Sequence, residues 1–369
     1  MPQKKVAIIY DWADTRYGGA EKVLLTLQQI YPQATLFTSF VEPHAVWTQK
    51  FKQVKTSFLQ HWPKFIRRHK KWLAVFLPLA FEQFDLTGFE LIISVTSFAA
   101  KGVLTKDNQL HICYLLTPTR FLYSHTHEYV HQARGIRKLL LNYLRRWDQV
   151  AATRPDYLIA ISQLVASRTE HYYGRKCAAV IYPTIIDDDK NIDKKEKNID
   201  IDHKFFLCVG RLTPYKHIHQ VVDICGRRQW PLVIIGSGVQ KQILTKSIDS
   251  HGWSHIKLLG NLDDESIKKY YQQALALVAP GLEDFGINIL EANQAGTLVI
   301  THPDSGAREL LTSNMARDLD SQQLSVSLET VMARVYDQGK TLIPSQKLSR
   351  SDFVRLWREK VMTYEKMFV

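Results

Sequence analysis

Two glutamates, Glu283 and Glu291, lie eight positions apart around a turn and the start of a predicted helix. The apolar run Ala274–Val278 precedes them and predicts a buried strand. Gly286 lets the backbone turn sharply or approach a ligand closely. Because open α/β sheets bind ligands at the carboxyl ends of their strands, we expect the amides of this turn to face a ligand. The alternative is two solvated acids at a helix start, where the helix dipole favours them.

A second pair of charged side chains, Arg211 and Lys216, lies in the segment Gly210–Lys216, between another predicted strand and a helix. Arginine offers a planar fork of donors and lysine a mobile point charge, and together they suit a diphosphate. Cations fixed at that place stabilise the negative charge that a departing diphosphate gains. The alternative is a surface loop with two ordinary cations. We expect the neighbouring His217 and His219 to be exposed helix residues.

The chain repeats one pattern in its two halves, which its 369 residues are long enough to fold as two domains. Alternating strands and helices predict an α/β fold with doubly wound parallel sheets. Between the halves, residues 186–203 are rich in Asp and Lys and predict a charged linker. The predicted strands are Lys5–Tyr10, Thr35–Phe40, Leu91–Val95, His111–Leu115, Tyr157–Ser162, Lys204–Gly210, Pro231–Gly236, Ile256–Leu259, Ala274–Val278 and Leu298–Thr301.

Composition is that of a globular protein, with 45% hydrophobic and 23% charged residues. The four cysteines show no C-x-x-C spacing, which favours a reducing compartment over disulfides or zinc. We expect neither a secretory signal nor a membrane-spanning segment. The net charge of +12 predicts an anionic partner: nucleic acid, an acidic membrane surface or a phosphorylated substrate.

A glycine pair, Gly18 and Gly19, follows the first predicted strand and opens a helix. It lacks the full G-x-G-x-x-G pattern, which argues against a dinucleotide site. Glycines at a helix N-terminus still form a small anion cradle, although tight strand-to-helix packing explains them equally well. Gly236-Ser237-Gly238 is a weaker glycine turn of the same kind.

The carboxylate pair with its flanks, Pro280 before it and Glu291–Gly296 after it, resembles the E-x7-E signature of retaining glycosyltransferases of family 4. The resemblance implies the GT-B fold, two Rossmann-like domains with doubly wound parallel sheets facing a cleft. It implies that Glu283 lies beside the transferred sugar, that Glu291 binds the ribose, and that Arg211 and Lys216 bind the donor phosphates. The implied catalytic residues are Glu283, Arg211 and Lys216. The implied donor-binding residues are Gly18, Gly19, Arg211, Lys216, Glu283, Asp284, Phe285, Gly286, Ile287 and Glu291.

The same resemblance assigns the domains. Residues 1–185 would form the acceptor-side domain and residues 204–345 the nucleotide-sugar domain. Residues 346–369 would form a C-terminal helix that packs back on the N-terminal domain. Neither a metal nor another cofactor is implied, because Arg211 and Lys216 supply the positive charge.

The segment around Arg120 is similar to the His-Thr-Pro-x-Arg-Tyr segment of bacterial mannosyltransferases that build O-antigen and exopolysaccharide. This narrower resemblance implies transfer of a hexose, most specifically mannose from GDP-mannose, to a membrane-linked glycan. Leu116 stands where those enzymes have the histidine. A retaining transfer through front-face departure tolerates this change, because the leaving phosphate can accept the proton. Asp11 and Arg120 are our tentative acceptor-side residues.

Two basic clusters carry much of the excess charge, and both are interleaved with aromatic or leucine side chains. Such clusters suit an anionic membrane surface, so we expect a cytoplasmic enzyme bound peripherally to the inner face of the membrane. Solvated helices are the alternative, and no nucleic-acid-binding motif is present. The first cluster includes Arg67, Arg68, Lys70 and Lys71; the second includes Arg134, Arg137, Lys138, Arg145 and Arg146.

Three other functions stay open at the level of sequence. A sugar-nucleotide epimerase of the same fold would not need a basic acceptor face. A non-catalytic scaffold or donor-binding subunit would have no turnover. An enzyme resembling glycogen phosphorylase would need a pyridoxal lysine, and none is identifiable.

Overall fold

The computed structural model describes residues 4–14, 18–68, 73–124, 135–183, 204–320, 324–339 and 350–368. The chain divides into two compact units: unit 1 holds residues 1–186 and 349–369, and unit 2 holds residues 187–348. The predicted linker, residues 186–203, lies outside the described residues.

Strands and helices alternate along the described chain. The strands are β1 (Val6–Tyr10), β2 (Thr35–Thr38), β3 (Gln53–Thr56), β4 (Leu91–Thr96), β5 (Leu110–Leu115), β6 (Tyr157–Ala160), β7 (Ala179–Val180), β8 (Phe206–Val209), β9 (Leu232–Ile235), β10 (Ile256–Gly260), β11 (Ala276–Ala279), β12 (Leu298–Thr301) and β13 (Ala316–Asp318). The helices are α1 (Gly19–Ile30), α2 (Lys64–Arg68), α3 (Leu77–Glu82), α4 (Ile136–Ala151), α5 (Gln163–Tyr173), α6 (Ile218–Arg228), α7 (Lys241–Ser250), α8 (Asp264–Gln273), α9 (Ile287–Gln294), α10 (Leu324–Gln338) and α11 (Arg350–Phe368).

Each unit holds one parallel sheet. The order is β3-β2-β1-β4-β5-β6-β7 in unit 1 and β10-β9-β8-β11-β12-β13 in unit 2. The central strands β1, β4 and β5 consist entirely of buried residues, as a sheet covered on both faces requires. The predicted α/β class with doubly wound parallel sheets is therefore confirmed.

Both sheets reverse their winding direction beside the first strand of the unit. In unit 1 the reversal lies between β1 and β4, and in unit 2 it lies between β8 and β11. Loops that leave two such neighbouring strands diverge and open a crevice, which is where open α/β sheets bind ligands. The loops after β8 and β11 contain Arg211, Lys216 and Glu283, and Glu291 lies on the helix α9 that follows β11.

The C-terminal helix α11 packs within unit 1 through aromatic side chains. Trp357 is fully buried, and its ring centroid lies 5.8 Å from that of Tyr114. Its indole N–H donates a hydrogen bond of 3.2 Å to the Tyr31 hydroxyl. One turn before the end of the helix, Tyr364 stacks on Tyr157 at 3.8 Å. These contacts anchor the last residues of the chain to the first sheet.

Candidate active site

The loop after β8 folds back over the end of its own strand. Gly210 has a φ of 138°, a conformation that other residues rarely adopt, and its N–H donates to the carbonyl of Ile235 on β9. A Cβ at Gly210 would lie 2.8 Å from the Lys216 ammonium. The loop closes with a 3-10 turn at Pro214–Lys216. Lys216 therefore returns to the strand end that the chain has just left.

The glycine turn after β9, Gly236-Ser237-Gly238, packs against this loop. A Cβ at Gly236 would lie 1.9 Å from the carbonyl oxygen of Gly210, and one at Gly238 would lie 2.4 Å from that of Leu212. The Leu212 N–H donates to the carbonyl of Ser237 at 2.9 Å. The backbones of the two loops are in direct contact here. Any side chain at Gly236 or Gly238 would therefore push the loop after β8 out of its position. In the sequence, Gly236-Ser237-Gly238 was only a weak glycine-turn signal.

The loop after β11 brings an acid to the same place. A Cβ at Gly281 would lie 2.4 Å from the carbonyl oxygen of Tyr215 and 2.7 Å from Lys216 Cα. This close approach places Lys216 Nζ 2.7 Å from Glu283 Oε1, with both side chains largely buried. The ion pair lines a small crevice between the ends of β8 and β11, together with Asn288 of α9. Two residues that the sequence predicted to share a site are thus in direct contact.

Glu283 is held by the loop after β12. The Glu283 N–H donates to the hydroxyl of the fully buried Ser305 at 3.2 Å, and Gly306 N–H donates to the Glu283 carbonyl at 3.0 Å. Ala307 N–H donates in the same way to Phe285. Ser305 was not among the predicted site residues. A small polar residue just after a predicted strand was the available signal.

Glu291 lies on α9, which begins at Ile287 directly after Gly286, whose φ is 89°. The buried Tyr271 hydroxyl donates to Glu291 Oε2 at 3.1 Å. Burial, followed by the nearby Glu291 charge, raises the pKa of Tyr271 well above its usual range. The tyrosine therefore remains a neutral donor that orients the carboxylate. Tyr271 is a second residue that the sequence analysis did not identify.

The remaining predicted donor residues of unit 2 differ in exposure. Arg211 is exposed, and its guanidinium has no hydrogen-bond or ion-pair partner within the part of the chain that the structure describes. Asp284 and Phe285 are buried. An exposed, unpaired cation in the same loop as Lys216 suits an anionic ligand.

His217 differs from its prediction as an exposed helix residue. It is half-buried, precedes α6, and has a φ of 54°, which is unusual for any residue but glycine. Burial lowers its pKa, and the charges of His219 and His302 lower it further. A residue with a left-handed backbone conformation thus follows Lys216 directly.

In unit 1, Gly18 and Gly19 open α1. A Cβ at Gly18 would lie 2.8 Å from Glu21 Oε2. Glu21 is buried and accepts a hydrogen bond of 2.8 Å from the Tyr10 hydroxyl. The Glu21 side chain packs against the start of α1 and leaves no room for a side chain at Gly18.

The environment of Asp11 differs from what its assignment as an acceptor-side residue requires. Its carboxylate is buried and accepts three hydrogen bonds at each oxygen, all from residues 96–100. With its lone pairs occupied, Asp11 positions the loop after β4 and is not available to an acceptor. Arg120 is half-buried.

The first basic cluster also differs from the prediction. Arg67 is buried, lies 3.2 Å from the Glu42 carboxylate and stacks over Phe40 at 5.7 Å, so it is not an exposed membrane-facing cation. Lys70, Lys71 and the side chain of Arg68 lie outside the described residues. Across the described ranges, no helix is both long and apolar enough to cross a bilayer.

Residues 189–320, which contain this site, match the family model described as "Glycosyl transferases group 1". The chain is 27% identical to D-rhamnosyltransferase WbpZ of Pseudomonas aeruginosa, over 45% of this chain and 43% of the relative. It is 26% identical to O-antigen chain mannosyltransferase C of Escherichia coli, over 40% of each. The chain thus spans about two-fifths of these curated relatives.

The fold has solved counterparts. The structure of Anabaena Alr3699/HepE in complex with UDP and glucose matches with a TM-score of 0.65 and 16% identity, over 98% of this chain and 100% of that one. The chain therefore has the GT-B fold, as the sequence resemblance implied. The match to the glycosyltransferase group 1 model falls within unit 2.

Proposed function

We propose that the protein is a retaining glycosyltransferase that transfers a hexose from a nucleotide-diphosphate sugar to a glycan. The observation that carries this proposal is the contact between Lys216 and Glu283 at the point where the unit 2 sheet reverses. The exposed Arg211 belongs to the same loop as Lys216. A donor diphosphate would replace Glu283 as the partner of Lys216. The released carboxylate would then bind the sugar hydroxyls.

Each charged residue of the site has a role in the proposed transfer reaction. As the diphosphate leaves, Arg211 and Lys216 stabilise its growing negative charge, and loops packed backbone on backbone hold Lys216 in position. Glu283 lies beside the sugar, and Glu291, oriented by Tyr271, binds the ribose. The departing phosphate takes the proton from the acceptor hydroxyl on the same face, which retains the anomeric configuration. The two cations do the work that a metal would otherwise do.

For the donor we propose GDP-mannose. Support comes from the mannosyltransferase and the D-rhamnosyltransferase among the relatives. The structural neighbour was solved with UDP and glucose, so UDP-sugars are the natural comparison. Incubation with a panel of GDP- and UDP-sugars and acceptor glycans tests the proposal, with nucleoside diphosphate release and the product anomer as readouts. An epimerised donor or an inverted product would contradict it.

We propose further that the enzyme binds the cytoplasmic face of an anionic membrane and acts on a lipid-linked glycan. Helix α4 supports this, because Ile136 and Leu139 are 76% and 68% exposed beside the exposed cations Lys138 and Arg146. Ile136→Ser with Leu139→Ser should reduce co-sedimentation with anionic liposomes. The matched control is Val239→Ser, also at an exposed apolar residue but in unit 2. A wild-type protein that ignores anionic liposomes at low salt would contradict the proposal.

A further inference from the structure

The Lys216–Glu283 ion pair fills the place that a donor diphosphate would take in unit 2. Lys216 Nζ and Glu283 Oε1 lie 2.7 Å apart, and the two side chains are 14% and 11% exposed. The crevice that the pair lines, between the ends of β8 and β11, has a volume of about 10 Å³. One water molecule needs roughly 10–15 Å³. A diphosphate can therefore reach Lys216 inside this crevice only after the pair has separated.

The backbones of both partners are held in place, which leaves side-chain rotation as the way to separate the pair. A Cβ at Gly281 would lie 2.7 Å from Lys216 Cα. The N–H of Glu283 donates to the Ser305 hydroxyl at 3.2 Å, and its carbonyl accepts from the N–H of Gly306 at 3.0 Å. Separation of the two side chains therefore does not require the loops to move.

Once the pair separates, each of the two charges needs a new partner, because an uncompensated buried charge is strongly destabilising. A nucleoside diphosphate supplies a partner to Lys216, but its negative charge then lies near the Glu283 carboxylate, and like charges repel. A nucleotide sugar supplies both partners, since its phosphates pair with Lys216 and its sugar hydroxyls donate to Glu283. The ion pair therefore opposes binding of the diphosphate alone more than binding of the intact donor.

We propose that Glu283 competes with the diphosphate for Lys216, and so weakens binding of the nucleoside diphosphate product relative to that of the nucleotide sugar. The inference rests on the glycosyltransferase activity proposed above. Before transfer, the sugar hydroxyls hold Glu283 away from Lys216. After transfer, the sugar leaves with the acceptor and the carboxylate pairs with Lys216 again. Glu283 thus determines specificity for the intact donor and promotes release of the product.

Calorimetric titration of the full chain with GDP, UDP, GDP-mannose and UDP-glucose, in the absence of acceptor, tests the proposal. Glu283→Gln keeps the shape of the side chain and removes its charge. This variant should bind the nucleoside diphosphate more tightly than wild type by roughly 10-fold, the lower end of the factor for one hydrogen bond to a charged group. Its affinity for the nucleotide sugar should not rise, because the contact with the sugar hydroxyls is weakened.

Glu291→Gln is the matched control, since it makes the same chemical change at the other glutamate of the motif. Its proposed partner, the ribose, is present in both ligands, so the variant should weaken both alike. The ratio of the two affinities should therefore change in Glu283→Gln and stay at its wild-type value in Glu291→Gln. A ratio that shifts equally in both variants would show a general effect of charge, and would overturn the proposal.

A double-mutant cycle shows whether Glu283 acts through Lys216. In a Lys216→Ala background, Glu283→Gln should no longer strengthen nucleoside diphosphate binding, because the ammonium for which the two anions compete is absent. A gain that persists would mean that Glu283 repels the diphosphate directly, and would overturn the competition. Lys216→Met, which retains most of the buried stem of the side chain, replaces Lys216→Ala if that variant does not fold.

The outcome in wild type separates this proposal from the proposed function. If wild type binds none of the four nucleotides, the nucleotide-sugar site and the competition both fail. If wild type binds a nucleoside diphosphate and Glu283→Gln binds it equally or more weakly, only the competition is overturned. Tighter binding of the diphosphate by Glu283→Gln, lost in the Lys216→Ala background, is the result that we expect.

Discussion

Lys216 and Glu283 neutralise each other in a largely buried pair, 2.7 Å apart. Removing one partner from such a pair leaves an uncompensated charge, which is more destabilising than removing both. Lys216→Ala should therefore lower the free energy of unfolding by about 1–3 kcal/mol, the desolvation cost of an unsatisfied buried group. Adding Glu283→Gln to that variant should restore part of the loss. Exposed Arg211→Ala is the control and should leave stability unchanged, as urea titration of the four proteins will show.

The two glutamates should differ in their kinetic effects. Glu283→Gln should chiefly lower kcat, because its carboxylate lies beside the proposed position of the departing sugar. Glu291→Gln should chiefly raise the donor KM, because ribose contacts are equally strong in the ground state and the transition state. Both changes keep the shape of the side chain, and steady-state kinetics separates the two effects. Normal turnover in Glu283→Gln would remove that residue from the mechanism.

At the scale of elements, packing between loops positions the site. Gly236→Ala should displace the loop after β8, because its Cβ would lie 1.9 Å from the Gly210 carbonyl oxygen. Gly252→Ala is the matched control, since Gly252 also has a positive φ but has open space around it. The control should lose only about 1–2 kcal/mol of stability, the cost of a left-handed residue. Gly236→Ala should also lose nucleotide affinity, which thermal shift with GDP and UDP can measure.

The sequence predicted the central strands but not three at or near the sheet edges. β1, β4 and β5 are mostly apolar, which indicates buried parallel strands. β3 consists of Gln53–Thr56 and is mostly exposed, so it has no apolar run to detect. β7 has two residues and β13 has three, too few for a periodic pattern.

Site residues could be predicted from the sequence only where a charged side chain in a recognisable motif follows a predicted strand. Lys216 and Glu283 follow strands whose carboxyl ends an α/β fold places at the same edge, so their contact was predictable. Ser305 and Tyr271 act on Glu283 and Glu291 through contacts between segments distant in sequence. The burial of Arg67 likewise depends on contacts with Glu42 and Phe40. Local composition alone predicted that Arg67 would be an exposed cation. Such contacts leave no local pattern.

At the scale of the whole molecule, one buried imidazole makes stability depend on pH. Burial lowers the pKa of His111 to about 3, and the charges of Arg175 and Arg154 act in the same direction. Between the ordinary histidine pKa of about 6.5 and this lower value, the unfolded chain binds a proton that the folded chain does not. The contribution of His111 to the free energy of unfolding should be fully present above about pH 6.5. It should decrease as the pH is lowered, with a slope of up to about 1.4 kcal/mol per pH unit.

Urea titrations at several pH values can measure this slope for wild type and for His111→Gln. The variant should show a shallower dependence, whatever its absolute stability. His251→Gln, at an exposed histidine, is the control and should keep the wild-type slope. Equal slopes in all three proteins would show that His111 does not govern acid unfolding.

We propose above that the crevice between β8 and β11 binds the diphosphate of a nucleotide sugar. Calorimetric titration of GDP and UDP into wild type and Arg211→Ala tests it most directly, because Arg211 is exposed and its loss should not disturb the fold. We predict that wild type binds at least one of the two nucleotides. Arg211→Ala should bind it more weakly by about 1.5–3 kcal/mol, the contribution of one charged hydrogen bond. Equal affinity in the two proteins, or no binding by wild type, would contradict the account.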